Sequence, residues 1–174
     1  NDAGLKIRTQ MQIIKFSNTP IPLSYRHEVA NFLFEHLQEF GDPKDDIMLS
    51  LNYIDDKETG KGGYLLVAMD DDVMVGAVVV NKTGMQRYIP ENILVYIATH
   101  NQYRGRGIGK KLMQETIKVC DGAIALHCEP DNPAKYLYEK LGFTSKYLEM
   151  RLPNEKNVNS YTQQKKTKGE FQLS

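Results

Sequence analysis

The chain has no surplus of charge: 22 Lys and Arg stand against 22 Asp and Glu, a formal net charge of zero over 174 residues. Nothing in that balance draws it to nucleic acid or to an anionic membrane. Only two cysteines are present, Cys120 and Cys128. Their number and spacing suit neither a disulfide framework nor a zinc site, so the expectation is a reducing, cytoplasmic setting. No apolar run approaches the about 18 residues of a membrane-spanning helix. The N-terminus lacks the apolar core of a signal peptide, so residues 1–10 read as a leader or expression remnant ahead of Met11. A metal role is also missing: His27 and His36 lie off a common helical face.

What is present suits one domain with a sizeable core. Hydrophobic residues make up 41% of the chain and charged ones 25%, ordinary for a globular protein. Gln12–Phe16 reads as a strand, and a helix follows from about Ser24 to Phe40, with Val29, Leu33, Leu37 and Phe40 on one face. Asp42-Pro43 predicts the start of a second helix, with Asp42 as its N-cap. Segments 63–69 and 73–81 predict a hairpin around Asp70-Asp71-Asp72. Further strands are expected at 91–100, 123–128 and 143–152. Helices are expected from Ile108 to about Cys120 and from Asn132 to Leu141, the latter stopped by Gly142. The fold class is α+β, a three-layer arrangement around a mixed sheet of about six strands. The proposed domain covers 11–153. Residues 154–174 are polar, with Val158, Tyr161, Phe171 and Leu173 spaced among them, and read as a tail.

The stretch Arg104-Gly105-Arg106-Gly107-Ile108-Gly109 stands between a strand and a helix. Glycines there can adopt backbone angles closed to other residues, and the helix N-terminus adds unpaired N–H donors, so the turn is an anion site. Two nucleotide-binding patterns fail on what they lack. The phosphate loop G-x-x-x-x-G-K-[ST] needs a hydroxyl where Lys111 stands, and the dinucleotide pattern G-x-G-x-x-G finds Lys110 at its third glycine. The pattern [RQ]-x-x-G-x-[GA] is met by Arg104, Gly107 and Gly109. A second segment, Asn132-Pro133-Ala134-Lys135-Tyr136-Leu137-Tyr138-Glu139-Lys140-Leu141-Gly142-Phe143, follows at a suitable distance.

In these two motifs and in element order, the chain from about Gln12 to Leu152 resembles the GNAT superfamily of acetyl-CoA-dependent N-acetyltransferases. One departure is Asn101, where many members carry Pro. The resemblance implies a mostly antiparallel, twisted sheet splayed between its fourth and fifth strands. It implies that backbone N–H groups of Arg104, Gly105, Arg106, Gly107, Ile108, Gly109 and Lys110 hold the CoA pyrophosphate. Arg104, Arg106, Lys110 and Lys111 would add charge. Ile97, Ala98 and Thr99 would pair with pantetheine, an N–H near Ile97 polarising the thioester. Asn132 would contact pantetheine or cap the short helix. Tyr138 would protonate the departing thiolate. The acceptor amine needs a base; alternation places Ala125, His127 and Glu129 on one face of a strand and makes His127 the first candidate, with Glu91 and His100 behind it. Acceptor recognition would lie in the N-terminal helices and loops, where His36, Glu35, Tyr53, Tyr88 and Arg87 are pocket candidates. A small-molecule amine is the expected acceptor, with a protein N-terminus or lysine second. No metal is expected. The tail and the family's habit of pairing suggest a homodimer.

Overall fold

The computed structural model describes residues 11–154, apart from Asn18, Lys57 and Thr59. The leader, and the tail from residue 155 on, lie outside the described residues. The chain divides into two compact units, one reaching Leu126 and the other starting at His127.

The first unit is built on five strands in the order β1-β2-β3-β4-β5. They are β1 (Gln12–Ser17), β2 (Gly63–Asp70), β3 (Val73–Lys82), β4 (Asn92–Thr99) and β5 (Ile124–Leu126). The first four run antiparallel to their neighbours, and β5 joins β4 in parallel. The sheet is open and mixed. Strands β2 and β3 are continuous apolar runs, Tyr64–Ala68 and Val75–Val80, because both of their faces are covered. Their connection is two residues, Asp71 and Asp72, with Asp71 at φ 51. Aspartate tolerates that left-handed region better than most residues.

Helices α1 (Leu23–Leu37) and α2 (Lys44–Asp55) cover one face. Val29, Leu33, Ile47 and Leu51 are fully buried there with Leu65, Val67, Ala77 and Val79 of the sheet, and Tyr96 and Ala98 complete the cluster. Helix α3 (Ile108–Val119) takes the other face and buries Ile108, Leu112, Met113 and Thr116. A Cβ at Gly76 of β3 would stand 2.6 Å from Leu112 Cδ1 and 3.0 Å from Ile108 Cγ2, so the first turns of α3 rest on a position that has room only for glycine. Lys15 of β1 also reaches Glu115 of α3 in an ion pair.

Two expectations in this unit are corrected. The long first helix stops at Leu37 and tightens into a 3-10 turn, Gln38–Phe40. Asp42 does not cap α2, whose first flanking residue is Pro43 in extended geometry. The Asp42 carboxylate instead accepts the Tyr96 hydroxyl at 2.7 Å, a bond that fixes the α1–α2 connection over β4.

The second unit holds α4 (Ala134–Lys140). It ends as its sequence dictates. Gly142 takes φ 96, its N–H bonds the Glu139 carbonyl at 3.1 Å, and the Phe143 N–H bonds the Tyr138 carbonyl at 3.0 Å. This pair of bonds is the Schellman stop, and it carries its usual apolar contact: the Phe143 and Tyr138 rings lie 5.9 Å apart. The expected sixth strand over 143–152 is absent among the described residues. Leu148, Met150 and Leu152 alternate as a strand would, but no ladder takes them up, and all three are more than 90% or at 90% exposed. Alternation states which face a residue would use; it supplies no partner strand.

Candidate functional site

The site begins with a kink in β4. Val79 pairs with Tyr96 and Val80 with Leu94, so Val95 is an extra residue without a partner, a β-bulge. Bulges re-aim a strand and reverse which of its groups face each neighbour. Before the bulge, the Asn92 N–H points to the fifth strand and bonds the Ala123 carbonyl at 3.1 Å. Beyond it, the His100 N–H bonds Val75 of β3 at 2.9 Å. Backbone alternation then commits Ala98 to its β3 partner Ala77 and turns the N–H groups of Ile97 and Thr99 away from β3. The β4–β5 ladder covers only Asn92–Leu94 against Ile124–Leu126, so it has ended before Ile97 is reached. Of the three residues expected to pair with a pantetheine chain, Ile97 and Thr99 therefore offer donors on that side, and Ala98 does not.

The loop after β4 is held from below. His100 caps a 3-10 turn, Asn101–Tyr103, its Nδ1 accepting the Gln102 N–H at 3.1 Å. Gly105 and Gly107 sit at φ 77 and 79, the left-handed region that costs other residues about 1–2 kcal/mol. A Cβ on either would meet nothing within 4 Å. The glycines are thus demanded by backbone shape, and the space beside them is free to admit a ligand. Gly107 flanks α3, whose first turn carries no acidic residue. The first-turn N–H groups, those of Ile108, Gly109 and Lys110 among them, have no partner within the helix. Between Asn92 and Gln114 there is no carboxylate, while Arg104, Arg106, Lys110 and Lys111 are all present and exposed. Backbone donors, helix dipole and side-chain charge therefore share one sign.

The two arginines are already engaged. Arg104 Nη2 donates to the His36 carbonyl at the end of α1, at 3.0 Å. Arg106 lies over the Tyr103 ring at 4.6 Å and bonds the Gln102 carbonyl at 3.4 Å. Their first service is to fix the loop.

In the second unit Tyr138 is buried, and burial, with the Cys128 thiol beside it, pushes its phenol up to about 12. It is a neutral hydroxyl at pH 7. The Asn132 side-chain oxygen accepts the Ala134 N–H at 2.9 Å, so the helix-capping half of its expected role is present. His127 is exposed and follows the end of β5. The alternation that aligned it with Ala125 and Glu129 assumed a strand through Cys128, and the strand stops at Leu126.

Glu91 is a brace. Its carboxylate accepts the Ala123 N–H at 2.8 Å and the Arg87 N–H at 3.2 Å, and these bonds hold it below the usual carboxylate range. That leaves a poor proton acceptor. The proposed acceptor-pocket residues also fall apart. His36 contacts Asn101, just past the end of β4, whereas the Tyr53 hydroxyl bonds Lys82, which pairs with Asn92 at the start of β4. Arg87 and Tyr88 belong to the loop at that same far end. An eight-residue strand separates the two groups by roughly 20 Å or more. Sequence reasoning missed His36 as a support of the loop, since no motif spans the separation of 65 positions between it and Asn101. Among the described residues no group of three or more His, Cys, Asp or Glu could hold a metal ion.

Residues 61–145 match the model of the acetyltransferase (GNAT) domain. This chain carries a GNAT acetyltransferase domain. The N-alpha-acetyltransferase 30 of Schizosaccharomyces pombe is 35% identical to it over 85 residues, 46% of this chain and 57% of that protein, so the match spans little more than half of the relative. The GNAT fold is shared with the aminoglycoside N-acetyltransferase AAC(6')-Iy in complex with CoA, at a TM-score of 0.59 and 17% identity over 84% of this chain and 95% of that one. It is shared too with the ribosomal-protein-alanine N-acetyltransferase of Brucella melitensis biovar Abortus 2308, at 0.56 and 18%, over 83% and 99%. The five-stranded open sheet and its helices are those of GNAT acetyltransferases.

Proposed function

We propose that this chain moves the acetyl group of acetyl-CoA to a primary amine by direct attack through a tetrahedral intermediate. One observation carries the reading: a bulged strand turns free N–H groups outward and leads straight into a left-handed glycine loop at the start of α3. The loop and the first turn of α3 receive the pyrophosphate, Lys110 and Lys111 adding charge. Thr99 and Ile97 pair with the pantetheine arm, and the Ile97 N–H polarises the thioester carbonyl. A donor fixed on the developing oxyanion is worth about 3–4 kcal/mol in comparable sites.

The amine nitrogen attacks the carbonyl carbon, the C–S bond breaks, and the nitrogen loses a proton to a base or to water. Tyr138 is assigned the departing sulfur by its place in the second motif. A phenol near 12 is a weak acid beside a thiol of about 8.5. Its contribution is therefore a hydrogen bond to the sulfur as charge develops; CoA leaves as the thiolate and takes its proton from water. His127 is the base in this reading, on the sequence argument alone.

The acceptor read from the sequence is a small-molecule amine. The fission-yeast relative favours a peptide α-amine as the second reading. A panel of small amines, N-terminal peptides and lysine peptides, assayed with acetyl-CoA by release of free thiol, separates them. The protein's own thiols interfere little: burial pushes Cys120 up to about 11 and raises Cys128 as well. Transfer to a small amine supports the first reading and transfer to a peptide N-terminus the second. CoA binding without transfer to any amine would make the domain a non-catalytic acyl-CoA sensor.

A further inference from the structure

The glycine loop has almost no packing of its own. Gly105 and Gly107 face open space, and on the loop's far side Ile108 and Leu112 of α3 rest against Gly76. Its near side is secured by one residue of another element. His36 lies in the last turn of α1 and is 5% exposed. Its Nδ1 accepts the Asn101 N–H at 3.2 Å, and its carbonyl accepts Arg104 Nη2 at 3.0 Å. The carbonyl is one of those left without a partner where a helix ends, so the second bond also caps α1. The ring stands between Phe32, at 4.6 Å, and His100, at 4.2 Å. His100 continues the contact to Tyr103 at 5.2 Å, and Tyr103 carries Arg106. One buried histidine thus reaches both flanks of the segment that precedes the glycines, Asn101 through its ring and Arg104 through its backbone carbonyl.

We propose that His36 is a positioning residue for the acyl-CoA donor, its ring Nδ1 setting the start of the pyrophosphate loop by holding the Asn101 N–H. The inference rests on the reading of 104–110 as the donor loop. It places control of donor affinity in the helix that packs against β4, 65 residues away in sequence.

The bond requires an unprotonated Nδ1, so the proton of the neutral ring sits on Nε2. The groups around the ring keep it neutral. Burial lowers its pKa most, and His100 and Arg104 on the loop side lower it further; a hydrogen bond with the Asn101 side chain and the Glu35 carboxylate, whose Oε2 lies 3.9 Å from Nε2, oppose them without reversing the net fall. Protonation would set two donors against each other at Asn101 and a cation beside Arg104. Donor affinity therefore falls as pH drops below the ordinary histidine range.

CoA affinity of the full chain is measured by calorimetry at pH 7.5 for wild type, His36→Leu and His36→Asn. Leucine keeps bulk and removes the acceptor; the asparagine side-chain oxygen restores one near Nδ1. His36→Leu is expected to weaken CoA about tenfold, the scale of one lost bond that leaves a donor unsatisfied. His36→Asn should recover most of that loss. Asn101→Pro removes the donor from the other side. Position 101 opens a 3-10 turn, and His100 at φ −51 and ψ 132 has the geometry preferred before proline, so the backbone tolerates it. In the Asn101→Pro background, His36→Leu should cost less than twofold. Lowering the pH to 5.5 should weaken CoA more in wild type than in His36→Asn, a ratio from which the titration of CoA itself cancels.

Equal CoA affinity in wild type and His36→Leu would overturn the inference. So would equal losses in the Leu and Asn variants, or the same loss in both Asn101 backgrounds. Should His36→Leu fail to fold, the pH ratio of wild type to His36→Asn decides alone. Wild type that binds no CoA would overturn the donor reading itself, before any variant is measured.

Discussion

The corner where β4 turns into α3 and the segment formed by α1, α2 and their connection are built from the same materials but constrained differently. In the corner, backbone geometry is the working part. A bulge at Val95, two left-handed glycines and a helix start set the donor directions, and His36 of α1 only steadies the loop that leads into them. In the α1–α2 segment, side chains do the work, and each has been drawn into a private contact: Asp42 to Tyr96, Arg26 to Asn52, His36 to Asn101. Function placed on the backbone leaves glycine and spacing marks in a sequence. Function placed on side chains leaves residue types that could serve many purposes. That is why the proposed donor site is named residue by residue and the proposed acceptor only by class.

The contrast can be broken most forcefully at Gly76. If the corner depends on how α3 is seated, Gly76→Val should destabilise the first unit by about 1–3 kcal/mol, toward the upper end because the added carbons meet Leu112 and Ile108 directly. Thermal or urea melts would register it; an unchanged midpoint would mean that α3 slides without cost. Tyr138→Phe comes next. One hydrogen bond to a charged group is worth about 1.5–3 kcal/mol, so turnover should fall about 10- to 100-fold with CoA affinity unchanged. A loss of CoA binding would instead make Tyr138 a packing residue. Gly107→Val should weaken CoA about 5- to 30-fold, because binding must hold the new residue in the left-handed region; no protein atom lies within 4 Å of the new Cβ, so the melting point should fall by no more than that same strain.

The smallest effect is expected at the surface tie between the corner and β1. Bonds from Lys118 and Lys15 hold the Glu115 carboxyl down at about 2, from an ordinary 4.5. Its folded pKa is depressed, so its stabilising contribution is present above about 4.5 and is lost as pH falls toward 2. Glu115→Gln should remove that part of the acid dependence. A melting curve of the same pH slope in both proteins would show that the pair contributes nothing measurable, as many exposed pairs do.

Much of this was legible in the sequence. Apolar runs bounded by turn residues marked β2, β3 and β4 to within a residue or two, since buried central strands leave long apolar stretches. Gly142 marked the end of α4 because only its φ suits the stop. The loop motif located α3 and its N-terminus. Asp42 was misread because capping chemistry is local and the Tyr96 hydroxyl that claims it is 54 residues away. The strand expected over 143–152 failed for a related reason: alternation is a property of the segment, pairing a property of its surroundings. The bulge at Val95 carried no mark at all, since no glycine or proline announces it, and with it went the distinction between Ala98 and its neighbours.

Calorimetric titration of CoA into the wild-type chain and into Gly107→Val, at pH 7.5, tests the donor site most directly. Saturable one-to-one binding to wild type, weakened about 5- to 30-fold in a variant that still unfolds cooperatively, is the expected result. No binding to the wild type, or equal affinity in the two proteins, would contradict a donor site built on the β4–α3 corner.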